Sequence, residues 1–418
     1  MAELLTVDQA QERILAQIVP LSWEDVALDE ALGRIVAEDV RAQIALPPFA
    51  NSSMDGFALI AADTQGASPE SPARLRVVMD VPAGSLPPAR LRPGEAARIM
   101  TGAPLPDGAD VVVPVEQTDQ HFTTREDAPL PEMVSIFAPC QAGAYIRAIG
   151  DDIPADHPVL PAGTELRAAE LGVLAALGHT QVRVTRQPRV AIVSTGSELV
   201  DLGEPLRPGA IYNSNSYLLA GMVRAAGGVP LRIATARDTL NEVRARFNEA
   251  LAFQPDVIIS SAGVSVGAFD VVRAVLAELG QVGFWRVNLR PGKPLAYGQL
   301  GGVPFFGLPG NPVSAAVTFD LFVRPTLFKL GGRVDRTMTI EAVTDEPITS
   351  DGRRSYLRVM LTRAGSRWLA KTTGTQSSSA LLSMVLADGL LIIPEGVTDV
   401  PAGTTLAVRL LRPREELE

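Results

Sequence analysis

The stretch Arg189-Val-Ala-Ile-Val-Ser-Thr-Gly-Ser-Glu198 decides the fold class. Residues 190–193 are apolar without alternation, the mark of a strand buried on both faces. They run directly into Ser194-Thr195-Gly196. The same pattern recurs twice. Residues 257–259 lead into Ser260-Ser261-Ala262-Gly263, and residues 303–306 lead into Gly307-Leu308-Pro309-Gly310-Asn311-Pro312. Helical stretches separate these strands. Ser214 or Asn215 caps one running to Ala226, Thr239-Leu240-Asn241-Glu242 opens a second as a capping box, and Asp270 begins a third that ends at Gly280. Repeated strand, loop and helix predict a parallel α/β sheet covered on both faces. Ligands of such sheets lie beyond the carboxyl ends of the strands, where all three glycine-containing loops fall.

Outside this region the pattern changes. Thr6-Val7-Asp8-Gln9 is a capping box for an amphipathic helix that ends before Pro20. Residues 47–149 are a β-rich insert, with strand-like runs at 75–79, 96–100, 111–115 and 134–137 and a polar loop around 119–132. Helical periodicity returns at 168–177 and stops at Gly178. Arg186-Gln187-Pro188 reads as a linker, and the chain turns β-rich again after Gly332. The expected domains are 1–46 with 150–186, a helical linking and dimerisation domain; 47–149, the β-rich insert; 187–331, the parallel-sheet domain; and 332–418, a β-barrel-like domain.

Composition limits the chemistry. The chain has 418 residues, a net charge of -10, one cysteine and three histidines. Such an acidic surface disfavours general nucleic-acid binding, so an anionic ligand needs a local basic patch. Cys140 with His121, His157 and His179 cannot build a disulfide framework or a structural zinc site. A lone cysteine fits a reducing cytosol. No signal peptide and no stretch long enough to span a bilayer is evident, so the expected location is cytoplasmic.

Gly263-Val264-Ser265-Val266-Gly267 matches the pattern of a nucleophile elbow, but every histidine precedes Ser265 and no base follows it. The better reading is an anion-wrapping loop, with glycines that let backbone N–H groups approach. Arg286, Arg290 and Lys293 place three cations in eight residues with no acid between them. Such a run is either a solvated basic loop or an oxyanion site; its apolar spacers and Pro-Gly turn favour the second. Carboxylates recur beside the loops: Asp55, Asp151, Asp152, Glu198, Asp238 and Asp270. Each alone reads as a cap or turn residue. Together they offer oxygen ligands to a hard cation such as Mg²⁺.

These residues resemble the molybdopterin molybdenumtransferases, the family that includes the gephyrin E domain. Seven strings in order carry the likeness over almost the whole chain. They are Asn51-Ser-Ser-Met-Asp-Gly56, Ile99-Met-Thr-Gly-Ala-Pro104, Gly150-Asp-Asp-Ile153, Ser194-Thr-Gly-Ser-Glu-Leu199, Ser261-Ala-Gly-Val-Ser-Val-Gly267, Arg290-Pro-Gly-Lys-Pro294 and Gly307-Leu-Pro-Gly-Asn-Pro-Val-Ser314. Ser355-Tyr-Leu-Arg358 and Asp388-Gly-Leu390 also fit. The chain departs from the family pattern at Ala50, Phe57, Ser197 and Ala262.

The resemblance implies an elongated, multi-domain homodimer of α/β plus β class. It implies insertion of molybdate into adenylylated molybdopterin with release of AMP, dependent on a divalent cation. Glu198 and Asp270 would hold Mg²⁺. Asp55, Thr101, Asp152, Glu198, Asp238 and Asp270 would serve catalysis. Substrate would be held by Thr195, Gly196, Ser261, Gly263, Val264, Ser265, Gly267, Arg290, Pro291, Gly292, Lys293, Pro294, Pro309, Gly310, Asn311 and Pro312, with Arg358 from the last domain. The upstream adenylyltransferase is the expected partner. Two other activities compete: adenylylation of molybdopterin, whose enzymes resemble only the parallel-sheet domain, and a non-enzymatic scaffold.

Overall fold

Side chains along Arg189–Ser194 alternate between two cores, as a strand buried on both faces requires. Val190 and Ile192 join one core with Val7, Ala10 and Ile14, while Ala191 and Val193 join the other with Val243, Phe247 and Val275. The computed structural model describes residues 4–120, 129–261, 269–413 and 417. The chain divides into two compact units. The larger comprises residues 1–25, 33–37 and 183–418, and the smaller comprises 26–32 and 38–182.

In the larger unit we label the strands β1 (Leu4–Leu5), β2 (Arg189–Ser194), β3 (Val229–Arg232), β4 (Val257–Ser261), β5 (Gly280–Val287), β6 (Pro294–Leu300) and β7 (Val303–Leu308). They form one sheet in the order β1-β5-β6-β7-β4-β2-β3. Strands β3, β2, β4 and β7 are parallel, as expected. Strand β6 runs antiparallel to both β5 and β7. The sequence reading missed β5, because Gly280, Gly283 and alternating polar residues weaken its strand signal and only pairing with β6 fixes it.

The helices are α1 (Val7–Leu15), α2 (Ser214–Ala225), α3 (Leu240–Ala252), α4 (Phe269–Leu279) and α5 (Pro312–Thr318). Thr6 and Gln9 make the reciprocal capping box at α1. Thr239 caps α3, but the Glu242 carboxylate turns to the Arg237 N–H (2.9 Å) instead of closing the box. Asn213 caps α2, one residue before the expected pair, accepting from Ser216 N at 3.2 Å.

Strands β8 (Thr339–Thr344), β9 (Arg354–Ala364), β10 (Arg367–Thr372), β11 (Gly389–Ile393) and β12 (Thr405–Leu410) follow. They pair in the ring β9-β10-β8-β12-β11, and β11 returns to β9. The expected barrel is therefore closed. Two ion pairs tie it to helical segments packed on the sheet. Asp320 Oδ2 accepts from Arg409 Nε at 2.5 Å, and Asp8 takes a bidentate pair from Arg354 at 2.7 and 2.9 Å.

The smaller unit holds a five-stranded sheet in the order Val111–Pro114, Gly56–Leu59, Glu95–Ile99, Ala73–Val81, Met133–Ile136. Phe57, Leu59 and Val113 face one core, and Ala58, Ile99 and Val112 face another. Residues 168–176 form a helix there, as expected. Part of the expected polar loop, residues 121–128, lies outside the described residues. Among the described residues no helix is long and apolar enough to cross a membrane.

Arg354 holds the Asp8 carboxyl below the usual carboxylate range, mainly through its hydrogen bond. A carboxyl whose folded pKa is depressed stabilises the fold above its unfolded pKa and stops doing so as pH falls through the folded one. Asp8 is exposed, so screening limits the effect. Asp8→Asn is expected to cost about 0.5–1 kcal/mol at pH 7 in urea unfolding, with the difference shrinking below about pH 4. A difference that grows on acidification would contradict this.

Candidate active site

Pairing register puts three loop starts on one row. Ser194 of β2 pairs with Ser261 of β4, and Ser261 pairs with Leu308 of β7. The Ser194 and Ser261 hydroxyls lie 3.0 Å apart and are buried. The chain therefore leaves the sheet at the same level three times. A cavity of ≈ 580 Å³ opens there, lined in part by Glu198, Ser214, Asn215, Ser261, Gly292, Pro294 and residues 309–312.

The first loop turns tightly. Gly196 N donates to Ala236 O (3.0 Å) and Leu199 N to Gly196 O (3.1 Å). A Cβ on Gly196 would lie 2.8 Å from each Glu198 carboxylate oxygen, so the glycine makes room for that carboxylate. Ser197 N donates to Asp238 Oδ2 (2.9 Å), and Asp238 N donates back to Ser197 Oγ (3.1 Å). This clasp fixes Asp238 while its Oδ1 stays buried without a hydrogen-bond partner among the described residues. Thr195 Oγ1 and Asn215 Oδ1 are buried and unpaired in the same way.

The other walls are knitted to this loop. Asn215 Nδ2 donates to Gly310 O at 2.7 Å. Asn311 Nδ2 donates to Ser378 Oγ (2.8 Å), and Val313 N donates to Ser378 O (3.1 Å). These bonds draw residues 373–383 from the barrel to the cavity, where Ser379 and Leu381 join its lining. Gly292 adopts φ +111°, and a Cβ there would lie 2.6 Å from Thr318 Oγ1.

The cations are placed differently from one another. Gly292 and Pro294 line the cavity, but Arg290 and Lys293 do not. Arg290 pairs through its backbone with Ser355 of β9 and holds Asp351 at 3.9 Å. Lys293 is half-buried, its carbonyl accepting from Val287 N at 2.9 Å. Arg358 is fully buried. It donates to Ser383 Oγ (3.0 Å), Ser377 O (3.0 Å) and Thr375 O (3.3 Å), so it braces the 373–383 loop. Burial first, and the nearby Arg290 charge second, push its pKa down to about 10.

In the smaller unit, Asp55 Oδ1 accepts from both Thr101 N (2.7 Å) and Thr101 Oγ1 (2.8 Å). Asp152 is exposed and donates its N–H to Leu46 O at 3.0 Å. Gly263, Val264, Ser265 and Gly267 lie outside the described residues, as does the side chain of Asp270. Sequence reasoning did not single out Tyr212, Asn213 or Ser379. The small polar run Thr375-Gln-Ser-Ser-Ser379, after a Thr-Gly pair, was the available signal for the last.

Glu198 and Asn215 line the cavity, while Thr195 and Asp238, with their own unpaired oxygens, lie outside its lining. No group of three His, Cys, Asp or Glu residues able to hold a metal ion occurs among the described residues.

Comparison with known proteins places the whole chain. Residues 5–178 match the MoeA N-terminal region (domains I and II), residues 191–329 a probable molybdopterin binding domain, and residues 341–411 the MoeA C-terminal region (domain IV). Molybdopterin molybdenumtransferase 2 of Mycobacterium tuberculosis is 39% identical over 412 residues, covering 96% of this chain and 98% of its own. The molybdopterin molybdenumtransferase of a Nostoc species is 38% identical, covering 92% of this chain and 88% of its own. The crystal structure of a molybdopterin biosynthesis MoeA protein from Pyrococcus horikoshii is 33% identical, with a TM-score of 0.83. That match covers 98% of this chain and 100% of that one.

Gly292→Ala is expected to destabilise the larger unit by about 1–3 kcal/mol in thermal or urea unfolding, through positive-φ strain and the Thr318 contact. Adding Thr318→Ala should recover the contact part only. Full recovery would mean the backbone conformation carries no strain.

Proposed function

Since the chain belongs to the molybdopterin molybdenumtransferase family, we propose that it inserts molybdenum from molybdate into adenylylated molybdopterin and releases AMP. One observation carries this reading. A single cavity at the carboxyl ends of three parallel strands gathers the Glu198 carboxylate, the unpaired buried oxygen of Asn215 and the amino end of α2. Such a site suits an anionic, cation-dependent substrate.

Each group has a role. Glu198 and Asp270 would hold a divalent cation, whose charge would offset that of the phosphates. Ser261 to Gly267 would cradle the nucleotide and pterin phosphate, and Gly310 and Asn311 would offer backbone N–H groups beside them. Arg290 and Lys293 supply positive charge to molybdate or phosphate. Arg358 acts from the barrel by holding Ser379 at the cavity edge. Thr101 orients Asp55 in the smaller unit; Asp55, Asp152 and, separately, Asp238 of the larger unit are each candidates to move protons as oxo groups leave molybdate. We further propose a homodimeric, cytoplasmic enzyme that receives its substrate from the upstream adenylyltransferase. The matches at both ends of the chain argue against a lone adenylylating domain.

The test is AMP release from the adenylate, with molybdate and with tungstate. Wild-type protein should release AMP only when oxyanion and divalent cation are both present. Asp270→Ala, Glu198→Gln and Lys293→Ala should each lower the rate at least about 10-fold with unchanged circular dichroism. Wild-type rates in all three would remove the site assignment. Light scattering should give twice the chain mass; a monomer that is fully active would exclude the dimer.

A further inference from the structure

Resting on the molybdenum-transfer reading, we infer that Tyr212 is a specificity-determining stacking platform for a planar heteroaromatic ring of the substrate. Among the described residues Tyr212 is the one aromatic side chain in the cavity lining. It is 42% exposed and its neighbour Ile211 is 58% exposed. An aromatic face left wet beside a cavity offers apolar area that only a bound ring would cover.

The cavity lining combines small polar residues, Ser214, Asn215 and Ser261, with Ile211 and Tyr212. An adenylylated pterin likewise combines phosphates with two flat rings, so such a ligand presents a ring as well as an anion to this lining.

Tyr212 is also held in place. Leu199 and Val200 pair with Ile211 and Tyr212 in a short parallel ladder. Ile211 N donates to Glu198 O, and Asn213 N donates to Val200 O, each at 2.9 Å. The segment that carries Glu198 therefore carries Tyr212. The phenol hydroxyl donates a long hydrogen bond to Glu204 O at 3.5 Å, and the residue stays 42% exposed. The residues that carry the carboxylate and the ring are thus set by one ladder and line the same cavity.

The adenine and the pterin share this chemistry, and the experiment separates them. Tyr212→Ala and Tyr212→Phe are compared with wild type by calorimetry against AMP and against a dihydropterin phosphate. The KM and kcat for AMP release are measured as well. Tyr212→Ala should weaken one of the two ligands roughly 5- to 100-fold, the range for loss of one base stack. KM should rise by a similar factor with kcat little changed, and Tyr212→Phe should stay within about threefold. The ligand that weakens identifies the ring. Unchanged binding of both ligands to Tyr212→Ala would overturn the assignment, as would a Phe variant as weak as the Ala variant. An inactive wild type would instead refute the transfer reading on which it rests.

Discussion

The row formed by Ser194, Ser261 and Leu308 is a matter of hydrogen-bond register, and the whole site hangs from it. Three parallel strands end at one level, so three loops leave the sheet side by side. A slip of one residue in any of these pairings would turn the alternating side chains towards the wrong cores. The two cores prevent that slip. Val190 and Ile192 fit one and Ala191 and Val193 the other, and both are closed over by helices. The buried Ser194–Ser261 hydroxyl contact is the polar counterpart of the same constraint, each satisfying the other where no water reaches.

From that row the site is assembled by side-chain to backbone bonds. The Ser197–Asp238 clasp joins two loops, Asn215 holds Gly310, and Asn311 holds Ser378. Each bond fixes a loop without consuming all of its polar atoms. The oxygens left over on Thr195, Asn215 and Asp238 are buried without a hydrogen-bond partner among the described residues. The barrel takes part for the same reason. Arg358 spends its guanidinium on the carbonyls of Thr375 and Ser377, which presents Ser379.

Much of this was legible in the chain. The uninterrupted apolar runs at 190–193 and 257–259 marked strands buried on both faces, and their glycine-containing exits marked the ligand side. The capping residues Thr6 and Thr239 marked helix starts. Gly292, Pro294 and residues 309–312, named from the sequence as candidates, line the cavity. The antiparallel β5 was not legible, because its glycines and polar residues carry no strand signal until β6 pairs with it. Arg290 and Lys293 were read as one basic patch, yet the cavity is lined by the residues between and after them.

Local sequence determined which segments become strands, helices and turns, since those depend on side-chain period and capping within a few residues. It also ruled out a disulfide framework within the chain, because there is one cysteine. Only the tertiary structure decided which loops meet. Glu198, Asn215, Gly310 and Ser379 are brought to one cavity by register and by bonds between residues far apart in the chain. Long-range pairing has no local signature, so the placement of Tyr212 beside Glu198 emerged only when the chain was folded.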